Sequence, residues 1–186
     1  MKLLLASKSP RRRQLLASLG YELECIAPDV DEHTSTPMPV ADLAEHLACR
    51  KAAACRMPLP DGTVLVAADT VVVHDGEALG KPADRDEAIA MLHCLSDGNH
   101  TVYTGVCLRS NSRSMSFTEA TTVHFRPLSD EEINYYIDNY RPYDKAGAYG
   151  IQEWIGMVGI DRIEGCYYNV VGLPVARLCK ELSAFV

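Results

Sequence analysis

The stretch KLLLASKSPRRRQLLASLG, residues 2–20, decides how the rest of the chain is read. Its aliphatic run Leu3, Leu4, Leu5 and Ala6 meets Ser7, Lys8, Ser9, Pro10, Arg11, Arg12 and Arg13, a pattern that predicts strand, tight loop, helix. Ser9 is a preferred N-cap, and Pro10 suits the first helical position because its missing N–H would have no partner there. Gly20 can close the helix. Leu15, Leu16 and Leu19 share one helical face that would pack on a sheet. At the opening turn, unpaired backbone N–H groups and three guanidinium groups gather into an anion cradle. Three cations in a first turn oppose the helix dipole, so the arrangement is locally unfavourable until an anion arrives; a solvated basic turn is the plainer alternative. Residues 1–13 carry a formal charge of +5, which leaves −12 for the rest of a chain whose net charge is −7. The positive charge is local, and a phosphate is its natural guest.

Composition narrows the class. A chain of 186 residues, 47% hydrophobic, is expected to fold as one domain, residues 1–186, with a substantial core. The opening apolar run is too short to be a signal peptide, and no stretch reaches membrane-spanning length, so a cytoplasmic protein is expected. Seven cysteines, odd in number and without a C-x-x-C pair, are expected to be buried free thiols. The net negative charge disfavours nucleic acid and favours a small phosphorylated ligand held by a focused basic site.

After the first helix, Tyr21–Ile26 alternates like a strand and runs into an acidic turn, Asp29 to Glu32. From about Val40 to Met57 the apolar spacing is helical. Residues 64–73, VLVAADTVVV, are nearly continuous aliphatic and predict a central strand buried on both faces. Asp75 and Gly76 turn the chain, a helix from about Asp84 to Leu95 stops at Gly98, and Val102–Leu108 and Met115–Phe125 predict a hairpin. Ser129 and Glu132 form a capping box that opens a helix through Tyr140. Residues 143–152 have no periodicity and predict a cleft-lining loop containing Asp144, Lys145, Gly147, Tyr149, Gly150 and Gln152. Met157–Ile163 and Tyr167–Val171 read as strands, and a helix starts at Pro174. Alternating elements followed by a hairpin predict an α/β fold with a mixed central sheet flanked by helices.

A carboxylate inside an apolar strand costs several kcal/mol unless it is paired, solvated by a cleft or metal-bound, which makes Asp69 the strongest catalytic candidate. It could hold a divalent cation, serve as general base on a water, or be a structural Asp satisfied by backbone donors. Glu32 could share the metal or simply sit in a solvated turn. Lys51 and Lys81 are further candidate phosphate contacts, surface lysines otherwise. The six histidines lack zinc-ligand spacing, and no G-x-x-x-x-G-K-S/T or G-x-S-x-G motif is present. The basic loop and Asp69 are expected to face one groove.

Together, LLLASKSPRRRQLL at the start, AADTVVV around Asp69, LGKP at Leu79–Pro82, DKAGAYGIQ at Asp144–Gln152 and YNVVGLP at Tyr168–Pro174 resemble the Maf family of nucleoside triphosphate pyrophosphatases over nearly the whole chain. The resemblance implies a fold like that of inosine triphosphate pyrophosphatase, with an elongated mixed sheet and two lobes around a nucleotide cleft. It implies hydrolysis of a nucleoside triphosphate to the monophosphate and pyrophosphate with a divalent cation, Mg²⁺ or Mn²⁺. It makes Asp69 the proton acceptor and gives Ser7, Ser9, Arg12, Glu32, Lys51 and Lys81 to the polar cleft set; the expected cation would be held by Glu32 and Asp69. Arg11, Thr70 and Gln152 match positions associated with base choice in the subgroup resembling dTTP and UTP pyrophosphatases. The implied partner is the nucleotide, with no nucleic acid, no membrane, and a homodimer left open. Two departures stand out: Ala68 where many members have Gly, and Glu153 with Trp154 where Gly commonly follows the Gln. The rival readings are a 7-methyl-GTP-type pyrophosphatase and a non-catalytic nucleotide-binding regulator of cell division.

Overall fold

The computed structural model describes residues 1–28, 30 and 38–185. Strand β1 (Lys2–Ala6) pairs in parallel with β2 (Glu22–Ile26), Leu3 opposite Leu23 and Leu5 opposite Cys25. Parallel neighbours need a crossover, and α1 (Pro10–Ala17) supplies it. Its start follows the sequence signals: Ser9 is extended, its hydroxyl accepts the Arg12 N–H at 3.4 Å, and Pro10 opens the first turn. Gly20, at φ +79°, reverses the chain where a side chain would be strained.

Helix α2 (Val40–Ala54) leads to β3 (Thr63–His74), which also lies parallel to β1, with Leu3 opposite Val64 and Leu5 opposite Val66. The chain continues through β4 (Glu77–Leu79), α3 (Arg85–Leu95), β5 (Asn99–Arg109), β6 (Ser114–Phe125), α4 (Asp130–Tyr140) and a 3-10 turn at Ala146–Ala148. It ends with α5 (Trp154–Gly159), β7 (Ile160–Glu164), α6 (Tyr167–Val171) and α7 (Val175–Ser183). The strands form one mixed sheet in the order β2-β1-β3-β5-β6-β7, with β4 antiparallel to β3, and helices flank it as the alternating pattern predicts.

The described residues divide into two compact units. The first comprises residues 1–70, 104–119 and 172–186. On one face of its strands, Leu3, Leu5, Val64, Val66 and Ala68 pack with Leu16 of α1 and with Leu178 and Leu182 of α7. On the other face, Leu4, Ala6, Leu65 and Ala67 pack with Ala48 and Ala52 of α2. A strand buried on both faces has to be apolar at every position, which is why β3 reads as an unbroken aliphatic run up to Asp69. Each fully buried leucine contributes roughly 1.5–3 kcal/mol. The second unit, residues 71–103 and 120–171, packs Leu92 and Leu95 of α3 with Ile133, Tyr136 and Ile137 of α4 and with Val123 and Phe125 of β6. The predicted capping box holds α4: Ser129 Oγ accepts the Glu132 N–H at 3.3 Å, and Glu132 Oε2 accepts the Ser129 N–H at 3.0 Å.

One close approach fixes where α2 lies. A Cβ on Gly105 of β5 would overlap the backbone of Ala44 and Glu45, so only glycine lets the helix settle there. The Glu45 carboxylate is then held by the Ser116 and Thr118 hydroxyls, each at 2.7 Å. Gly105→Ala is expected to push α2 outward at a cost of about 1–3 kcal/mol. Calorimetry would show it as a lowered Tm, with a parallel loss of activity because α2 carries Lys51; an unchanged Tm would contradict this seating.

Several segments fold otherwise than their patterns predict. The strand expected at Met157–Ile163 begins instead as α5, and only Ile160–Glu164 is extended. Gly156 allows that helix to lie against the Ile151 carbonyl, where a Cβ would clash, and it turns Ile155 into the core, so packing overrides β-branched propensity. Tyr167–Val171 is a short helix because buried Asn169 must reach the Val102 carbonyl at 2.9 Å and Thr121 Oγ1 at 3.0 Å. After α3, Ser96 is the C-cap and Asp97, at φ +56°, makes the turn ascribed to Gly98; Asp tolerates this conformation better than most residues. The stretch 143–152 is largely buried rather than an open loop, and of the seven free thiols only Cys55 and Cys107 are buried.

Candidate active site

Beyond Ala6 the pairing with β2 continues for one residue, Ser7 N–H donating to the Ile26 carbonyl at 3.0 Å, and then the chain turns into α1. Ser7 Oγ accepts the Ser9 N–H at 3.1 Å, and Ser9 Oγ is the helix cap, so both hydroxyls shape the loop. Of the three consecutive arginines, Arg13 is exposed, Arg11 half-buried, and Arg12 buried at 9% exposure. A guanidinium at that depth must be hydrogen-bonded. Arg12 Nε donates to the Gly172 carbonyl at 2.8 Å and Nη2 to Thr70 Oγ1 at 2.9 Å, while Thr70 Oγ1 lies 2.9 Å from Thr104 Oγ1. One arginine of the basic run is thus aimed and held.

Asp69 and Thr70 are the half-buried pair that interrupts β3. Side chains alternate along a strand, and the packing shows which way each points. Asp69 continues the Leu65 and Ala67 row toward α2, where its carboxylate accepts the Lys51 ammonium; both side chains are only 13% exposed. Thr70 continues the Val64, Val66 and Ala68 row toward α1 and meets Arg12. Asp69 and Arg12 therefore do not look directly at each other. Lys51 and Arg12 approach adjacent residues of β3, Asp69 and Thr70, from its two faces, just past the end of β1. Asp69 is paired with a cation, which resolves the cost of a carboxylate in an apolar strand without the backbone donors considered from sequence.

In the second unit, Lys81 is exposed beside Gly80, whose carbonyl accepts the Gly147 N–H at 3.0 Å. Gln152 is exposed, but its neighbours are tightly held. The Gly150 N–H donates to Tyr136 Oη at 3.0 Å, and Tyr136 O–H donates to Glu153 Oε2. Glu153 Oε1 lies 3.1 Å from the ammonium of buried Lys145, which also meets Asp144 at 2.7 Å. Burial, and then the Glu153 carboxylate, push the Tyr136 phenol up, so it remains a donor. Trp154 lies against Tyr135, ring centroids 4.8 Å apart.

A family model described as Maf-like protein matches residues 2–185. The chain belongs to the Maf family. It is 47% identical to the dTTP/UTP pyrophosphatase of Parabacteroides distasonis, covering 99% of this chain and 96% of that protein. Identity is 49% to the dTTP/UTP pyrophosphatase of Porphyromonas gingivalis, with 99% and 94% covered, and 51% to that of Carboxydothermus hydrogenoformans, with 98% and 97% covered. Among solved structures, the Staphylococcus aureus Ham1 protein matches with a TM-score of 0.47 at 14% identity, covering 67% of this chain and 72% of that one.

In this Maf family member Ser7, Ser9, Arg11, Arg12, Lys51, Asp69 and Thr70 fall in the first unit, and Lys81 and Gln152 in the second. Glu32 lies outside the described residues. The closing YNVVGLP segment supplies the Gly172 carbonyl that orients Arg12, at φ +122°, where other residues would be strained. Sequence reasoning missed Gly172 and Thr104 as partners of the Arg12 site, and Tyr136, Lys145 and Glu153 as partners around Gln152. A hydroxyl inside the apolar run of β5 was the available signal for Thr104. Nothing local marked Tyr136, which reads as one more aromatic on the apolar face of α4.

Proposed function

We propose that the chain hydrolyses dTTP and UTP to the nucleoside monophosphate and pyrophosphate, working as one domain over residues 1–186. The dTTP/UTP pyrophosphatase names of relatives 47–51% identical over nearly the full length support this choice over 7-methyl-GTP and over a non-catalytic regulator. The structural observation that carries it is the meeting of two charged devices on neighbouring residues of β3, Lys51 with Asp69 and Arg12 with Thr70.

In this reading Arg12, Arg11, the loop carrying Ser7 and Ser9, Lys51 and Lys81 bind phosphate oxygens, and Asp69 accepts the proton of the attacking water. Among the described residues no group of three or more His, Cys, Asp or Glu is placed to hold an ion. A single carboxylate nevertheless suits a cation of the Mg²⁺ or Mn²⁺ kind, which keeps several waters and takes further ligands from phosphates. Asp69, with Glu32 as the proposed second ligand, would hold such an ion, and its charge would neutralise the phosphate chain.

Gln152, with Arg11 and Thr70, is assigned to base choice, since an amide offers a donor to O4 and an acceptor to N3–H of thymine or uracil. No helix among the described residues is long and apolar enough to cross a membrane, and seven free thiols support a reducing, cytoplasmic setting. The test is pyrophosphate release from a panel of canonical and modified triphosphates with Mg²⁺, Mn²⁺ or neither. dTTP and UTP are expected to lead, and Gln152→Ala to lower kcat/KM for them about tenfold or more, the loss of a hydrogen-bonded base edge. Equal loss across all nucleotides would remove Gln152 from base choice.

A further inference from the structure

An amide that reads a pyrimidine has a weakness. Turned over, its donor and acceptor exchange, and it then fits the N4 amino group and N3 acceptor of cytosine as well as it fitted O4 and N3–H of uracil. A glutamine free to rotate would therefore discriminate poorly between UTP and CTP, and something must hold one orientation.

The residues around Gln152 supply such a device. A Cβ built on Gly150 would stand 2.8 Å from Gln152 Nε2 and 3.0 Å from Glu153 Cδ, so the amide and the carboxylate are folded over the same point of bare backbone. The Glu153 carboxylate is fixed at both oxygens, Oε2 accepting the Tyr136 hydroxyl and Oε1 facing Lys145 Nζ at 3.1 Å. Tyr136 also accepts the Gly150 N–H, which ties the backbone on the far side of Gln152 to the same phenol. A held negative charge beside an amide favours its NH₂ end nearby and its oxygen turned away. The residue that breaks the family pattern is thus turned inward and anchored rather than left in solvent.

We propose, on the reading that Gln152 selects the base, that Glu153 is a positioning residue which, anchored by Tyr136 and Lys145, fixes the orientation of the Gln152 amide and so favours uracil and thymine over cytosine.

Steady-state kinetics with UTP, dTTP and CTP test it. Glu153→Gly and Tyr136→Phe are each expected to narrow the UTP to CTP ratio of kcat/KM by roughly tenfold, a coupling of ordinary size, through KM rather than kcat. Glu153→Gln, which keeps the shape without the charge, should fall between these variants and the parent. Lys145 keeps Asp144 in the Glu153 variants, so they are expected to fold, and a thermal melt verifies it. The double variant Gln152→Ala with Glu153→Gly should be no less selective than Gln152→Ala alone. An unchanged ratio in folded Glu153→Gly and Tyr136→Phe overturns the proposal if Gln152→Ala does narrow it. If Gln152→Ala also leaves the ratio unchanged, the reading of Gln152 itself falls.

Discussion

Asp69→Asn is expected to lower kcat by about a thousandfold or more while leaving nucleotide binding intact, the range general-base and charge-alignment losses reach. The amide keeps the shape of the carboxylate but neither accepts a proton at neutral pH nor binds a hard cation well. In metal-free buffer binding should tighten slightly, because one negative charge beside the phosphates is gone. Lys51 is left facing a neutral amide at 13% exposure, so a modest stability change accompanies the kinetic one. Single-turnover pyrophosphate release separates the chemical step from product release, and calorimetric titration with a slowly hydrolysed analogue reports binding. Lys51→Met serves as the companion variant: it should raise KM and leave a paired carboxylate without its cation. A folded Asp69→Asn protein turning over at near the parent rate would remove Asp69 from the chemistry and leave the pair a structural ion pair in β3.

That pair also shows what the sequence made legible. The apolar run of β3 told where a strand lies and that both its faces are buried, and an acid within it called for a partner. Strand, loop and helix at the amino end were equally plain, since Ser9 and Pro10 are local signals and the cap they predict is present. Partner identity is a different kind of information. Lys51 meets Asp69 only because Gly105 lets α2 settle onto β5, and Arg12 is aimed only because Gly172 brings its carbonyl across 160 residues of sequence. Periodicity carries no record of such contacts. The errors share that cause: α5 and α6 are helical because Ile155 and Asn169 have to reach specific neighbours, against the local preference of their β-branched and aromatic residues. The expectation that an acid and a basic loop face one groove took no account of strand alternation: adjacent residues of β3 point to opposite faces, so Asp69 meets Lys51 while Thr70 meets Arg12.

The second large effect is on stability, and it comes from a histidine outside the proposed chemistry. His100 of β5 is 2% exposed, packed among Phe125 and Tyr149, with Nε2 2.7 Å from Tyr149 Oη. Burial raises the Tyr149 phenol well above its ordinary value, so it donates and Nε2 accepts. The neutral imidazole then carries its proton on Nδ1, an atom with no hydrogen-bond partner among the described residues. Burial first, then the nearby His74 and His124, hold its pKa down to about 3. An unfolded chain binds that proton near pH 6.5 and the folded chain does not, so the contribution of His100 to stability is fully present above about pH 6.5 and is lost as pH falls toward 3. The slope is about 1.4 kcal/mol per pH unit, which makes the loss roughly 2 kcal/mol by pH 5 and roughly 4 kcal/mol by pH 3, where the folded group itself begins to take up the proton. Below about pH 4.5 carboxylates join in, among them Glu132, held down to about 2 by Arg126, so the window from pH 6.5 to 5 belongs to histidine. His100→Gln keeps an acceptor for Tyr149 and has nothing to titrate. Urea unfolding at pH 7, 6 and 5 should show the parent losing about 2 kcal/mol more than this variant, and parallel losses in the two proteins would mean that His100 takes up its proton without leaving the fold.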